Sequence, residues 1–138
     1  MAVLESIDHG RCRYRLSALV GLPVRIGDVE VGRIADVILN RSFGHALGFV
    51  VRGRGAHRHF LPWVAARVDG DHVATLSIFA LLSTSELAFY LDHGAPLSGE
   101  LPGRVEDVLV DADGDVLALL DRVPRRAARR SRHARSAS

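Results

Sequence analysis

The chain has 138 residues, of which 48% are apolar, and a formal net charge of +2. This length fits one compact domain or two small β units that share a surface. The longest apolar runs are too short to span a bilayer, and the first residues lack the basic start and apolar stretch of a secretory signal. The single cysteine, Cys12, cannot form an intrachain disulfide. We therefore expect a cytoplasmic location.

The net charge conceals two oppositely charged parts. Residues 1–121 contain 11 Arg and 16 acidic residues, a charge of −5, whereas residues 122–138 contain 7 Arg and no acid, a charge of +7. All 18 basic residues are arginine. The body is therefore acidic and the tail basic, and each part must be assigned its own partners.

Residues 1–15 lack a clear period and are predicted to be a flexible lead-in, although Arg11, Arg13 and Arg15 alternate with Cys12 and Tyr14 as in an edge strand. Residues 16–20 could form one short helical turn. From Val24 onward the alternation of apolar residues indicates β-strands, with a turn at Gly27-Asp28.

One stretch occurs twice, as Gly32-Arg33-Ile34-Ala35-Asp36-Val37-Ile38-Leu39-Asn40 and as Gly103-Arg104-Val105-Glu106-Asp107-Val108-Leu109-Val110-Asp111. Each copy precedes a glycine turn and an apolar strand, so each predicts a β-hairpin. The uninterrupted apolar run 37–39 indicates that both strand faces are covered or that a bulge intervenes. A catalytic role for Asp36 and Asp107 is conceivable. We favour structural carboxylates that accept bonds from backbone amides or from Arg33 and Arg104.

The remaining elements follow from turn and cap signals. Asp69-Gly70 predicts a tight hairpin. Ser83 with Glu86 forms a capping-box pattern, which predicts a helix near 84–92. Residues 124–138 contain arginine, alanine and serine without large apolar residues, which predicts a disordered Arg-rich tail.

Four segments together resemble the PRC-barrel family, named for a domain of the photosynthetic reaction centre H subunit and similar to the C-terminal barrel of the ribosome maturation factor RimM. The segments are Leu19-Val20-Gly21-Leu22-Pro23-Val24, Val31–Val37, Leu47-Gly48-Phe49-Val50-Val51 and Phe60-Leu61-Pro62-Trp63. A barrel followed by a helix and a truncated second copy also looks like a region of some actinobacterial proteins related to magnesium transporters. No transporter segment follows here, so that function is not carried over.

The resemblance implies a mainly β fold: a small PRC-like β-barrel at 16–78, then a short helix and a partial second barrel repeat at 79–123. The second copy lacks a Phe-Leu-Pro-Trp segment and closing strands. It must complete its sheet against the first barrel, against another chain, or by leaving a protected edge. The resemblance also implies an adaptor that works through protein–protein contacts and not an enzyme, without a cofactor or small-molecule substrate.

The candidate partner-binding residues are those at the predicted barrel rim, namely Arg52, Arg54, His57, His59, Phe60 and Trp63. Phe60 and Trp63 could equally fill the core. The pair His57 and His59 has a spacing that can bind a metal, but no Cys or carboxylate lies at ligand spacing, so no metal site is predicted. Asp111, Asp113 and Asp115 lack the glycine and terminal glutamate of a calcium loop. No nucleophile motif or phosphate loop is present, which argues against catalysis.

The tail residues Arg125, Arg126, Arg129, Arg130, Arg132 and Arg135 are candidates for binding an anionic surface. One alternative function is association with RNA, the ribosome or DNA, because neutralising about five phosphates gives steeply salt-dependent binding. Another is peripheral attachment to an anionic membrane. A solubilising tail that binds nothing is the third interpretation. Homodimerisation is our preferred answer to the incomplete second barrel.

Overall fold

A computed structural model describes residues 4–8, 11–99 and 101–121. The strands are β1 Leu4–Asp8, β2 Arg11–Arg15, β3 Pro23–Ile26, β4 Val29–Leu39, β5 Ala46–Arg52, β6 Arg58–Pro62, β7 Ala66–Asp69, β8 His72–Thr75, β9 Ala95–Pro96, β10 Val105–Asp111 and β11 Val116–Asp121. The α-helices are α1 Leu16–Leu19 and α2 Thr84–His93, and short 3₁₀ turns occupy Arg54–Ala56, Trp63–Ala65 and Ile78–Ala80. No helix within these ranges is long and apolar enough to cross a bilayer.

Seven strands form the main sheet, in the order β6-β5-β4-β3-β8-β7 with β9 beside β4. Neighbouring strands are antiparallel except β3 and β8, which pair in parallel. β6 and β7 lie at opposite ends of this order but are separated in sequence by only Trp63–Ala65. The sheet must therefore curl until its two ends approach each other. The predicted mainly β, barrel-like fold is confirmed.

β4 is the strand around which the barrel is built. It pairs with β5 along residues 33–39, and on its other side with β3 and then β9. Its uninterrupted apolar run is explained by burial on both faces: Val37 and Leu39 belong to the main core, and Ile38 to a second cluster. A β-bulge also occurs, at Ala35. Because this bulge precedes the run, burial on both faces is the explanation that holds for residues 37–39.

Helix α2 covers the outer face of the barrel, where Leu87 packs with Ile38, Val50 and Phe60. The predicted cap is present, because the Ser83 hydroxyl accepts a hydrogen bond from the backbone N–H of Glu86 at 3.4 Å. The helix prediction, the helical turn at 16–20 and the Asp69-Gly70 hairpin are all confirmed by their observed elements.

A second, four-stranded sheet has the order β1-β2-β10-β11. The expectation of a flexible lead-in at 1–15 is corrected here, because residues 4–8 and 11–15 form two strands and β2 pairs with β10. Tyr14 is buried in the main core, and Cys12 packs against that core. The hairpin of β1 and β2 therefore supplies a partner strand for β10, the first strand of the second hairpin. The sequence analysis had left the partner of that hairpin undecided.

Asp36 and Asp107, which occupy the same position in the two copies of the repeated stretch, each bind one serine. Asp36 accepts hydrogen bonds from the backbone N–H and the hydroxyl of Ser98. Asp107 accepts the same two bonds from Ser17, and it is 6% exposed. Each carboxylate also accepts a bond from the N–H of the next residue, at 2.8 Å. Both are thus structural carboxylates satisfied by amides, as predicted, although the serines replace the arginines as side-chain partners.

The turns of the two hairpins meet each other. The Ala46 N–H donates to the Gly114 carbonyl at 2.8 Å, and the Val116 N–H donates to the Gly44 carbonyl at 3.0 Å. Asn40 and Asp111, which begin the two turns, each accept two backbone N–H bonds on a side-chain oxygen. The two hairpins are therefore capped in the same way and joined at their tips.

Tyr14 gives the fold a specific sensitivity to alkaline pH. Its burial, reinforced by a hydrogen bond with the Cys12 thiol, raises the pKa of Tyr14 to about 12. The neutral phenol is thereby favoured in the folded state, since burial penalises the charged form.

We expect the free energy of unfolding to fall as the pH rises through the interval between the ordinary tyrosine pKa of about 10 and the folded-state value of about 12. The folded state holds the phenolic proton in this range while the unfolded state releases it. Because the chain has no lysine, few other groups titrate there. Urea unfolding at several pH values should show the decrease in the wild type and in Tyr90→Phe. A Tyr14→Phe variant with an undiminished decrease would contradict this assignment.

Candidate functional site

Two of the residues predicted to bind a partner are part of the core. Phe60 is fully buried and stacks on Tyr90, with ring centroids 3.9 Å apart. Trp63 stacks on Phe49 and donates a hydrogen bond from Nε1 to the Ala112 carbonyl at 2.9 Å. The sequence left both open between a recognition surface and the core. Their burial places them in the core, so they are removed from the candidate partner-binding residues.

The other predicted residues lie where β5 ends and β6 begins. Arg52, Arg54 and His57 are exposed. His59 is partly buried, and its Nδ1 donates to the Leu82 carbonyl at 3.2 Å. The His57 and His59 rings therefore differ in surroundings. Within the described ranges, no three His, Cys, Asp or Glu side chains are grouped as metal ligands.

The strand register brings three arginines into one row. Arg33 on β4 lies directly opposite Arg52 on β5, and Arg52 lies directly opposite Arg58 on β6. Residues opposite each other in antiparallel strands project from the same face of the sheet, and like charges in such positions repel. Arg54 follows in the adjoining turn. We call Arg33, Arg52, Arg54 and Arg58 the arginine face.

The positive charge of the arginine face is only partly neutralised. Arg33 forms an ion pair with Glu30 at 3.4 Å and donates to the Gly21 carbonyl at 3.1 Å. Among the described residues, none lies within ion-pair distance of Arg52, Arg54 or Arg58. An arrangement that costs repulsion without internal compensation is suited to an anionic ligand.

A groove of about 630 Å³ runs along the arginine face. Its walls are the turn at Val20-Gly21, the first half of β4, and the segment Arg52–Arg54. Gly32 lies at the base, where a Cβ atom would come 2.7 Å from the Arg52 carbonyl oxygen. The absence of a side chain there allows β4 and β5 to approach closely while arginine side chains border the groove.

A smaller apolar depression of about 280 Å³ adjoins the groove. The two share Glu30, Val31, Gly53 and Arg54 in their walls. We define the apolar hollow by its remaining members, Val29, His59, Ile78 and Leu81. Next to Ile78 in the chain, Phe79 is 88% exposed. Charged and apolar surface are thus contiguous at this end of the barrel.

Sequence reasoning identified only part of this surface. Arg52, Arg54 and His59 were predicted. Those missed are Arg33, Arg58 and the aliphatic members of the apolar hollow, namely Val29, Ile78 and Leu81. The arginine row depends on the pairing of three strands, which no local pattern reveals. Leu81 belongs to Phe79-Ala80-Leu81-Leu82, one of the longest apolar runs of the sequence, and these runs were interpreted only as too short for a membrane span.

The described residues include one of two further groups of candidate residues, the acidic turn 111–115. Asp111 uses Oδ1 to accept the N–H groups of Asp113 and Asp115, at 2.9 and 3.0 Å, and so stabilises its turn. The tail residues Arg125, Arg126, Arg129, Arg130, Arg132 and Arg135 lie outside the described part of the chain.

Comparison with known proteins places the barrel in a family. No curated protein matches the sequence. The model of the PRC-barrel domain matches residues 13–81, which is the segment from β2 through the 3₁₀ turn at Ile78–Ala80. The match stops before the second hairpin, so the partial second copy stays a prediction. The chain belongs to the PRC-barrel domain family, because the match covers half of its residues and those residues form the curled β-sheet.

Proposed function

We propose that this protein is a non-catalytic docking module that binds an acidic segment of a partner protein at the groove. The arginine face contacts carboxylates of the partner, and the apolar hollow receives one of its apolar side chains. The observation that carries the proposal is the cross-strand row Arg33-Arg52-Arg58, most of whose charge is uncompensated among the described residues.

Arginine is suited to this task because its guanidinium group binds a carboxylate through two parallel hydrogen bonds. The overall charge also contributes. Residues 1–121 carry a net charge of −5, so the arginine face is a basic patch on an acidic body. An acidic partner is repelled elsewhere on this body and attracted to the groove, which favours one docking orientation.

A protein segment fits this surface better than a nucleic acid does. The hollow is lined by the aliphatic residues Val29, Ile78 and Leu81, whose shape suits an apolar side chain. Binding of single-stranded nucleic acid relies on successive aromatic rings that stack on bases. Within the described part of the chain, Phe79, next to Ile78 in sequence, is the one exposed Phe, Tyr or Trp that neighbours a residue of the hollow. Arginine together with exposed apolar groups is typical of protein interfaces.

The alternatives that use the tail depend on a different part of the chain. RNA, ribosome or anionic membrane binding through the Arg-rich tail is supported by sequence charge alone. These alternatives do not require the groove, so the experiment below separates them from it.

The test compares two charge-reversal variants, Arg52→Glu/Arg54→Glu and the control Arg67→Glu/Arg104→Glu. Both change the net charge equally, and the control arginines are exposed but lie outside the groove. The probe is a fluorescent peptide that alternates glutamate with leucine. We expect the groove variant to weaken peptide binding by more than about tenfold at moderate salt, because charge-assisted hydrogen bonds are lost. The control should bind as the wild type does.

Docking of a protein segment at the groove is contradicted by equal weakening of peptide binding in both variants, or by no weakening in the groove variant. It is also contradicted if a single-stranded RNA probe binds tightly to the wild type, the peptide does not, and the RNA binding is lost in the groove variant. The hollow is tested separately by Ile78→Glu against Val64→Glu, which adds the same charge at an exposed valine outside the hollow. We expect weaker peptide binding only in Ile78→Glu.

A further inference from the structure

The described lining of the groove includes one acidic side chain, Glu30. It lies in the wall that the groove shares with the apolar hollow, and the other ionisable residues of the groove are arginines. A carboxylate at this position repels any acidic group that enters the groove. Glu30 therefore acts directly on the binding of the acidic segment proposed above.

A β-bulge turns Glu30 towards Arg33. In a regular strand, residues three apart project from opposite faces of the sheet. The register of β3 against β4 shifts between Val24 and Arg25, which makes Val31 an additional residue in β4. The bulge brings Glu30 to the face that carries Arg33. Although Arg25 lies directly opposite Glu30, the ion pair of Glu30 is with Arg33. Bulges commonly re-aim a side chain beside a functional site in this way.

Arg33 is held from two sides. Its Nη1 donates to the Gly21 carbonyl at 3.1 Å, which fixes the guanidinium group at the wall of the groove. Its Nε lies 3.4 Å from Oε2 of Glu30. A guanidinium group binds a carboxylate through two parallel N–H groups, and with Nη1 bonded to Gly21 the edge formed by Nε and Nη2 is the one suited to a carboxylate. Glu30 therefore occupies part of the edge that a carboxylate of the partner needs.

The contact between Glu30 and Arg33 is easily broken. Its 3.4 Å is longer than the distance of about 2.7–2.9 Å that is typical of a strong charge-assisted hydrogen bond. The side chain of Arg33 is 61% exposed and that of Glu30 is 44% exposed. Exposed ion pairs of this kind contribute little to the stability of a fold. Glu30 can therefore leave Arg33 without disturbing the barrel.

We propose that Glu30 is a built-in competitor for the acidic ligand, which occupies Arg33 in the free protein and is displaced when a carboxylate of the partner binds there. The inference rests on the proposed docking function and deepens it. Because Glu30 lies where the groove meets the apolar hollow, it selects a segment with a carboxylate next to the apolar side chain that enters the hollow. A segment without that carboxylate has nothing to gain from Arg33.

The test compares Glu30→Gln with the control Glu106→Gln. Both remove one negative charge, and Glu106 is exposed on β10, outside the groove. The probes are the fluorescent peptide that alternates glutamate with leucine and a second peptide with glutamine in place of glutamate. We expect Glu30→Gln to bind the acidic peptide about threefold to tenfold more tightly than the wild type, and Glu106→Gln to stay within about twofold. Neither variant should change the binding of the glutamine peptide. Thermal unfolding of each variant establishes that it is folded.

The gain should also require Arg33. In an Arg33→Gln background, the change Glu30→Gln should improve binding of the acidic peptide by less than about twofold, because no guanidinium group is left to release. An equal gain in the two backgrounds overturns the proposal, since Glu30 then acts by repulsion alone. An equal gain in Glu106→Gln, or an equal gain with the glutamine peptide, overturns it as well.

Failure of this inference is distinguishable from failure of the proposed function. Where the wild type binds the acidic peptide and Arg52→Glu/Arg54→Glu weakens that binding, docking at the groove stands, and an unchanged affinity in Glu30→Gln overturns the role of Glu30 alone. A wild type that does not bind the acidic peptide, or an Arg52→Glu/Arg54→Glu variant that binds it equally well, overturns both proposals together.

Discussion

Replacement of Trp63 by alanine is expected to lower the free energy of unfolding by about 3–5 kcal/mol, the range for loss of a large buried aromatic side chain. Trp63 is 5% exposed and stacks on Phe49 with ring centroids 5.0 Å apart and planes inclined by 18°. The substitution leaves a cavity beside Phe49 and removes the hydrogen bond to the Ala112 carbonyl. Since domains are stable by only about 5–15 kcal/mol, this is a large fraction of the total.

Trp63 also connects the barrel to the second hairpin. A Cβ atom at Gly114 would lie 3.0 Å from the Trp63 ring, which shows how closely the indole packs on that turn. Chemical denaturation should therefore show a lower midpoint for both sheets together. The control is Phe79→Ala, which removes an exposed ring and should change the free energy of unfolding by no more than about 0.5 kcal/mol. A stable Trp63→Ala protein that only loses partner binding would restore the rejected surface assignment.

Substitution of Gly48 by alanine is expected to cost about 3 kcal/mol, at the upper end of the range for overpacking. A Cβ atom there would lie 2.6 Å from Cζ of Phe60 and would collide with the Leu61 carbonyl oxygen. Neither neighbour can move easily. Phe60 is fully buried against Tyr90, and Leu61 belongs to the β5–β6 pairing.

The matched control is Gly44→Ala, because the nearest atom to a Cβ at Gly44 is Oγ of Ser42, at 3.7 Å. Its free energy of unfolding should stay within about 0.5 kcal/mol of the wild type. Thermal and urea unfolding of the two variants measure the difference directly. A Gly48→Ala variant as stable as Gly44→Ala would mean that β5 and β6 are farther apart than their observed pairing requires.

Local sequence was sufficient for the elements whose signals lie within a few residues. The Ser83 cap predicted helix α2, Asp69-Gly70 predicted the β7–β8 turn, and the alternation after Val24 predicted strands. Each of these signals depends on short-range sterics or on a hydrogen bond to a neighbouring amide, which tertiary contacts seldom override. The same applies to Asp36 and Asp107, whose need for backbone donors could be stated before the donors were known.

Long-range pairing was the part that local sequence could not supply. β2 is a strand because β10, about ninety residues later, offers it an edge, so the alternating arginines before α1 were interpreted as a lead-in. Phe60 and Trp63 are buried because α2 and Phe49 cover them, which their own segment does not reveal.

The sequence by itself determined the β-rich barrel class, the positions of its turns and caps, and the separation of charge between body and tail. Only the tertiary structure decided that Arg33, Arg52 and Arg58 form one row beside an apolar hollow. The physical reason is that turns and caps arise from contacts between near neighbours in the chain. A binding face depends on which distant strands pair and in what register.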